Sequence, residues 1–367
     1  MSDIRDITIK DFLQRSGFEA STRTKIPGDA STRRYERLTL DGTDYILMDA
    51  PPVEAPVCTP GMTDEQRIAA GDNATRRLAA SRVDAFVCLT HYLASQDFSV
   101  PRLVAADCDK GLAILEDFGD GQYWHLLEKE GSADQEAMYE AATDALIKMD
   151  QIDPPTGVTW QEAEWPLLPY DNLAMLTEAK LLPEWYAGRH HGAVIDAAAI
   201  ASYEAAWKEV LGVFDQAPRR LIMRDYHSPN LMWLPERDGY KRAGLLDYQD
   251  TVTGHPAYNM MFLLNDARRD VPADLQAHML ERYFKGVAAT PEDRDAYMAA
   301  FAAYQALNNM RICGIFCRLN YRDGKASYMQ HLPRVERYVA ESLKHPACGQ
   351  LAEWFTRYLP NALQAAA

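Results

Sequence analysis

The sequence predicts an α+β chain of two lobes, a small β-rich front part and a large, mostly helical back part. Three observations lead there. Apolar runs that flank turn signals crowd into the first 117 residues. Helical periodicity then runs almost unbroken from about residue 122 to the end. The helical part carries one expected β interruption, at residues 231–247.

The elements come in this order along the chain. A short helix pattern covers Thr8 to Arg15. Tyr35–Leu40 and Tyr45–Met48 have strand character and flank Asp41-Gly42, a strong hairpin signal. Residues 53–74 mix Pro, Gly and charge without periodicity and are expected to form a surface excursion. A helix is expected from about Ala79 to Ser95, then a strand from Arg102 to Ala106 and a turn at Asp109-Lys110-Gly111. The apolar run Leu112–Leu115 leads into Glu116-Asp117-Phe118-Gly119-Asp120. Helices are clearest over Glu136–Asp150, Ala197–Gln216, Ala273–Val287 and Glu292–Phe316. The lobe boundary is expected at residue 117, giving lobes 1–117 and 118–367.

Composition excludes several classes. The 367 residues carry 38 Lys and Arg against 53 Asp and Glu, a net charge of −15. That balance argues against a nucleic-acid or anionic-membrane surface, both of which need positive fields. It leaves room for a small anionic ligand held locally. The N-terminal residues mix both charge signs without an apolar core, unlike a secretory signal. No run approaches the ~18 apolar residues of a spanning helix. The six cysteines include no CxxC pair and no set of metal-ligand spacing. A soluble, reduced, cytoplasmic protein is expected.

The chemistry concentrates at the β interruption. Met223-Arg224-Asp225-Tyr226-His227-Ser228-Pro229-Asn230 contains Asp-x-x-x-x-Asn, a weak pattern by itself. The apolar strand Leu231–Leu234 comes next, then a turn at Arg237–Tyr240, then Ala243–Leu246 ending at Asp247. A hairpin returns its chain to where it began, which brings Asn230 and Asp247 within reach of one cation. Any one of these residues would pass as a cap or a turn residue; the three in this order point to a site. Phosphoryl transfer uses one carboxylate to orient the attacking hydroxyl, and an amide oxygen and a second carboxylate to hold Mg²⁺ against nucleotide phosphates. Asp225 is the candidate catalytic base, and Asn230 and Asp247 are the candidate metal ligands.

These segments resemble the aminoglycoside phosphotransferase and choline kinase-like group, which shares the protein kinase-like fold. Within that group the chain resembles most the bacterial cell-wall-recycling kinases acting on the anomeric hydroxyl of N-acetylmuramate and N-acetylglucosamine. GDASTRRY, LMDAPP, LEDFGD, RDYHSPNLMWLPER, LLDYQD, HPAY, DARRDV and GIFCRLNYRDGK carry the likeness, from residue 28 to 325. The resemblance implies ATP and Mg²⁺ as cofactors and a small-molecule acceptor. It makes Glu116 and Phe118 the adenine-side hinge. By position, the turn of Ser31 and Thr32 would cover phosphate, with backbone N–H groups and hydroxyls as donors.

The chain departs from the family pattern at four points. Met48 stands where the third front-lobe strand would carry a phosphate-binding lysine, leaving Arg34, Arg33 or Lys25 as substitutes, with Arg34 taken as the nucleotide contact. No partner glutamate is evident on the next helix; Asp84 is the nearest acid and reads as a solvated helix residue. Met223 replaces a mainly architectural histidine. Asn259 replaces an aspartate that accepts hydrogen bonds from the catalytic-loop backbone, so a weakened brace is expected. On the acceptor side, His227 would face the sugar or brace its loop, and Arg268 is a candidate contact. A lactyl carboxylate would favour an arginine fork. Two alternatives stay open: a kinase of aminoglycoside- or choline-type hydroxyls, and a nucleotide-binding pseudokinase motivated by Met48, Met223 and Asn259.

Overall fold

Asp41 and Gly42 both adopt left-handed backbone, at φ 50° and 76°, and close the first hairpin where the sequence signals it. The computed structural model describes residues 2–27, 33–53, 55–128 and 134–363. Its strands there are β1 Thr22–Ile26, β2 Arg34–Leu40, β3 Thr43–Asp49, β4 Leu103–Asp107, β5 Leu112–Glu116 and β6 Gly157–Trp160. They continue as β7 Ala163–Pro166, β8 Arg220–Ile222, β9 Leu231–Trp233, β10 Ala243–Leu245 and β11 Val252–Gly254. The helices begin with α1 Ser2–Arg15, α2 Asp64–Ala70, α3 Asp72–Arg76, α4 Val83–Ser95, α5 Tyr123–Leu127 and α6 Gln135–Asp150. The rest are α7 Asn172–Ala179, α8 Ala197–Leu211, α9 Ala257–Leu264, α10 Ala273–Gly286, α11 Pro291–Asp323, α12 Leu332–Ser342 and α13 Gly349–Tyr358. No helix among them is long and apolar enough to cross a membrane.

The chain divides into two units. The first comprises Met1–Ala145, Pro155–Leu168 and Ser228–Thr251. It therefore extends past residue 117 and takes in the β9–β10 hairpin. Its antiparallel sheet runs β1-β2-β3-β5-β4. Strand alternation gives that sheet two distinct faces. Leu38, Leu47, Leu112 and Ile114 lie on one face and pack against Ile9, Phe12 and Leu13 of α1. Those α1 residues recur at helical spacing, which is why the helix sits there. On the other face, Met48 lies opposite Tyr35 on β2 and Ala113 on β5.

The second unit comprises Leu146–Pro154, Pro169–His227 and Val252–Ala367. Its axis is α11, 33 residues long, opened by a capping box between Thr290 and Asp293 and closed by Gly324 at φ 69°. The α9 helix, buried over its whole length, packs on α11. The strand β8, paired antiparallel with β11, precedes the segment holding Asp225.

Two expectations are corrected. Residues 53–74 are not all irregular, because Thr63 caps α2 with a capping box and α3 comes directly after it. Arg67 of α2 is fully buried and bonds the carbonyls of Ala74 and Thr75. The β interruption at 231–247 is also not alone, since β6, β7, β8 and β11 add strands to the back half. They are three or four residues long, too short for alternation to register. The β6–β7 turn, moreover, puts Gln161 rather than Gly or Asn at positive φ.

Candidate active site

The β9–β10 register pairs Leu231 with Leu245, and the Leu246 amide donates to the Asn230 carbonyl at 2.9 Å. The hairpin thus brings Asn230 beside the residue that precedes Asp247, as the sequence implies. The segment after Asp247 is anchored to α4. The fully buried Tyr248 ring stacks on Phe86 at 5.2 Å, and its hydroxyl meets Thr90 Oγ1 at 2.7 Å. Asp250 Oδ1 accepts the Ala79 amide at 2.6 Å, tying the exit of the loop to the turn before α4. Asp247 itself has left-handed backbone, φ 56°.

The Asp247 carboxylate is half-buried and already receives a cation. Arg33 Nη2 donates to its Oδ1 at 2.6 Å, and Arg33 Nη1 donates to Gln249 Oε1 at 2.7 Å. Gln249 Nε2 also reaches Asp247 Oδ1, at 3.1 Å. Burial works against the Arg33 charge, but Tyr35, Asp247 and Asp250 outweigh it and hold its pKa above the ordinary arginine value. An amide oxygen and a carboxylate are hard donors, so Asn230 and Asp247 fit Mg²⁺ with water and phosphate completing its shell.

Asp225 belongs to the second unit, in the segment after β8. Its backbone N–H donates to the Met223 carbonyl at 2.7 Å, and the His227 amide donates to the Asp225 carbonyl at 3.1 Å. Arg224 between them is buried at φ 64°. Its guanidinium lies 4.5 Å over the Tyr170 ring and pairs with the buried Glu178 carboxylate. Glu178 also accepts the Tyr170 hydroxyl at 2.8 Å and faces Arg311 at 3.6 Å. Burial opposes the Arg224 charge, yet Glu178 foremost among its neighbours holds the pKa well above the usual value. Asn259, 3% exposed, bridges the same segment: its Oδ1 accepts the Met223 amide at 2.8 Å and its Nδ2 donates to the Leu221 carbonyl at 2.9 Å.

The remaining candidates lie on several elements of the two units. Glu116 ends β5, accepts the Arg102 amide at 3.0 Å and meets Arg237 Nη2 at 3.2 Å. The Arg237 guanidinium lies 5.0 Å over the Phe118 ring. Arg34 lies on the α1 face of the sheet, its exposed side chain paired with Asp49 at 2.7 Å. Ser31 and Thr32 lie outside the described residues. His227 meets the Phe262 ring edge-on at 6.2 Å. The Arg268 amide donates to Asp266 Oδ1 at 2.9 Å. Asp84 pairs with Arg82 at the start of α4.

Residues 22–299 match the model of the phosphotransferase enzyme family. The chain belongs to that family. It is 43% identical, over 98% of both chains, to the N-acetylmuramate/N-acetylglucosamine kinase of Caulobacter vibrioides. Identity to the kinase of the same name from Pseudomonas putida is 28%, over 91% of this chain and 87% of the other. Among solved structures, a choline/ethanolamine kinase family protein from Mesorhizobium loti superposes with a TM-score of 0.58 at 14% identity, covering 100% of this chain and 98% of that one. That likeness gives this phosphotransferase its fold, the protein kinase-like fold of small-molecule kinases.

Sequence reasoning about the phosphotransferase did not find Glu178, Tyr170 or Gln249. Glu178 and Tyr170 sit within the apolar and helical run from Tyr170 to Ala179 with no pattern to mark them. Gln249 lies two residues past Asp247, and that adjacency was the available signal.

Proposed function

We propose that the protein is an ATP- and Mg²⁺-dependent kinase of amino sugars, transferring the γ-phosphoryl group to the anomeric hydroxyl of N-acetylmuramate or N-acetylglucosamine. The observation that carries this reading is the 43% identity, end to end, to a kinase named for those two sugars. Residues 1–117 form the nucleotide lobe in this reading, with Glu116 and Phe118 at the adenine and Ser31 and Thr32 at the phosphates. Residues 118–367 form the catalytic and acceptor lobe.

The Asp225 carboxylate accepts the proton of the sugar hydroxyl as that oxygen bonds to phosphorus. Arg224, fixed by Glu178, and Asn259, bonded to the Met223 amide, hold the backbone on which Asp225 sits. Asn230 and Asp247 hold Mg²⁺, which when bound supplies positive charge against the phosphate oxygens. His227 and Arg268 contact the acceptor. Six unpaired cysteines and an ATP-dependent reaction support a cytoplasmic enzyme.

The test is a product assay with ATP, Mg²⁺ and each sugar. The expected products are ADP and an acid-labile sugar 1-phosphate. Asp225→Asn should lower turnover roughly 10²- to 10⁴-fold, the usual worth of a positioned general base. ADP release with choline or an aminoglycoside but with neither sugar would overturn the substrate assignment. Near-normal turnover of Asp225→Asn would remove that residue from its role.

A further inference from the structure

The third strand lacks a cation on the face where a nucleotide phosphate would need one. Met48 is 1% exposed and sits opposite Tyr35 and Ala113. Strand parity distinguishes the cations nearby. Directly opposed residues of an antiparallel pair share a face, and successive residues alternate. Tyr35 therefore shares the face of Met48, and Arg33, two residues earlier, continues that side. Arg34 points to the α1 face, where it pairs with Asp49, whose other oxygen takes Arg5. Lys25 lies opposite Glu36, and Glu36 alternates with Tyr35, so Lys25 is also on the α1 face.

Arg33 is the cation this geometry delivers to Asp247. Its fork spans Asp247 Oδ1 and Gln249 Oε1 at 2.6 and 2.7 Å, with the side chain only 13% exposed. A guanidinium presents several donors in one plane and matches phosphate oxygens as well as it matches a carboxylate. A divalent cation at the Asp247 carboxylate would meet the positive charge of Arg33 on the same group. We infer that Arg33 is the phosphate-binding residue that stands in for the absent strand lysine, guarding the Asp247 carboxylate and turning to a nucleotide phosphate when Mg²⁺ takes that carboxylate. The inference rests on the kinase reading of the site and specifies how its nucleotide is held.

Two binding measurements test it without turnover. ADP binding in the presence of Mg²⁺ is followed by titration calorimetry, and Mn²⁺ binding to the nucleotide-free protein by electron paramagnetic resonance. R33M should weaken ADP binding roughly 10- to 100-fold, the worth of a charge-assisted hydrogen bond. The same variant should bind Mn²⁺ alone at least as tightly as wild type, because Asp247 loses a competitor. R33K should recover part of the ADP affinity through its charge, and R34M should leave ADP affinity within roughly twofold, as an exposed ion pair contributes little. Unchanged ADP affinity in R33M, or a larger loss in R34M, overturns the assignment. Equal weakening of ADP and Mn²⁺ in R33M also overturns it, since Arg33 would then only shape the Asp247 loop. R33K, retaining the cation, separates these outcomes from a general failure of R33M to fold. Wild-type protein that binds no ADP with Mg²⁺ would remove the nucleotide reading itself, and the inference with it.

Discussion

Asn259 offers a change of one atom with a sign that can be worked out. Its Oδ1 accepts the Met223 amide at 2.8 Å and its Nδ2 donates to the Leu221 carbonyl at 2.9 Å, in a site 3% exposed. In Asn259→Asp an ionised carboxylate keeps the first bond but has no hydrogen for Leu221. It faces that carbonyl oxygen to oxygen and is a buried charge besides. Loss of the second bond and the unsatisfied carbonyl cost about 2 kcal/mol, offset in part by a stronger bond from the Met223 amide. A protonated carboxyl donates its hydrogen to Leu221 and removes most of that cost. The introduced carboxyl therefore titrates higher in the folded chain than its ordinary ~3.9 in the unfolded one. A pKa raised by folding adds stability below the unfolded value and loses it as pH rises through the folded value. The deficit of Asn259→Asp against wild type should accordingly grow from pH 5 to pH 8. Urea unfolding of both proteins at the two pH values reads it, and the difference cancels titrations common to both. A variant as stable as wild type at pH 8, or a deficit that shrinks as pH rises, would refute the reasoning.

Glu178→Ala leaves the buried Arg224 guanidinium without its carboxylate and should cost about 3–5 kcal/mol in urea unfolding; a loss below about 1 kcal/mol would show that Arg224 has another sufficient partner. Burial pushes His255 down to about 4 from 6.5, so the stability it contributes is present above pH 6.5 and lost as pH falls through 4. The full span is about 3 kcal/mol, and His255→Asn, which keeps an acceptor for the Ala257 amide, should flatten the unfolding profile between those values. Met48→Lys puts an ammonium into a site 1% exposed and should destabilise by about 2 kcal/mol or more in thermal or urea unfolding. Wild-type stability in that variant would mean that position 48 opens to solvent.

How much was legible in the sequence depended on whether a signal is local. The Asp41-Gly42 hairpin and the return of Asp247 to Asn230 were readable, because a turn dipeptide and two apolar runs determine both. The short strands β6, β7, β8 and β11 were not, since three or four residues carry no period and tertiary pairing decides their state. The Glu178–Arg224 pair was invisible because 46 residues separate its members. The capping box at Thr63 could have signalled α2, but the Pro and Gly residues around it hid the pattern. Arg33, Arg34 and Lys25 were alternatives as cations in the sequence, with Arg34 taken as the contact. Only pairing register, a property of the assembled sheet, separates them by face.

The three departures that favoured a silent kinase each occupy a site built for the residue present. A decayed position would leave polar groups orphaned, because buried donors are almost always paired. Met223 is buried, and its amide is taken by Asn259, so the side chain that replaces a histidine serves as core while its backbone carries the brace. Asn259 uses both ends of its amide, a pair of bonds that an ionised aspartate could not make at the Leu221 carbonyl. Met48 is sealed between Tyr35 and Ala113, and the charge missing there reappears on the same face at Arg33, beside Asp247. With a net charge of −15, the chain cannot rely on a general positive field to hold a polyanionic nucleotide. In the proposed reading, the Arg33 guanidinium together with a metal at Asn230 and Asp247 would meet that need locally, which makes Arg33 the position where an active site and a silent one would differ most.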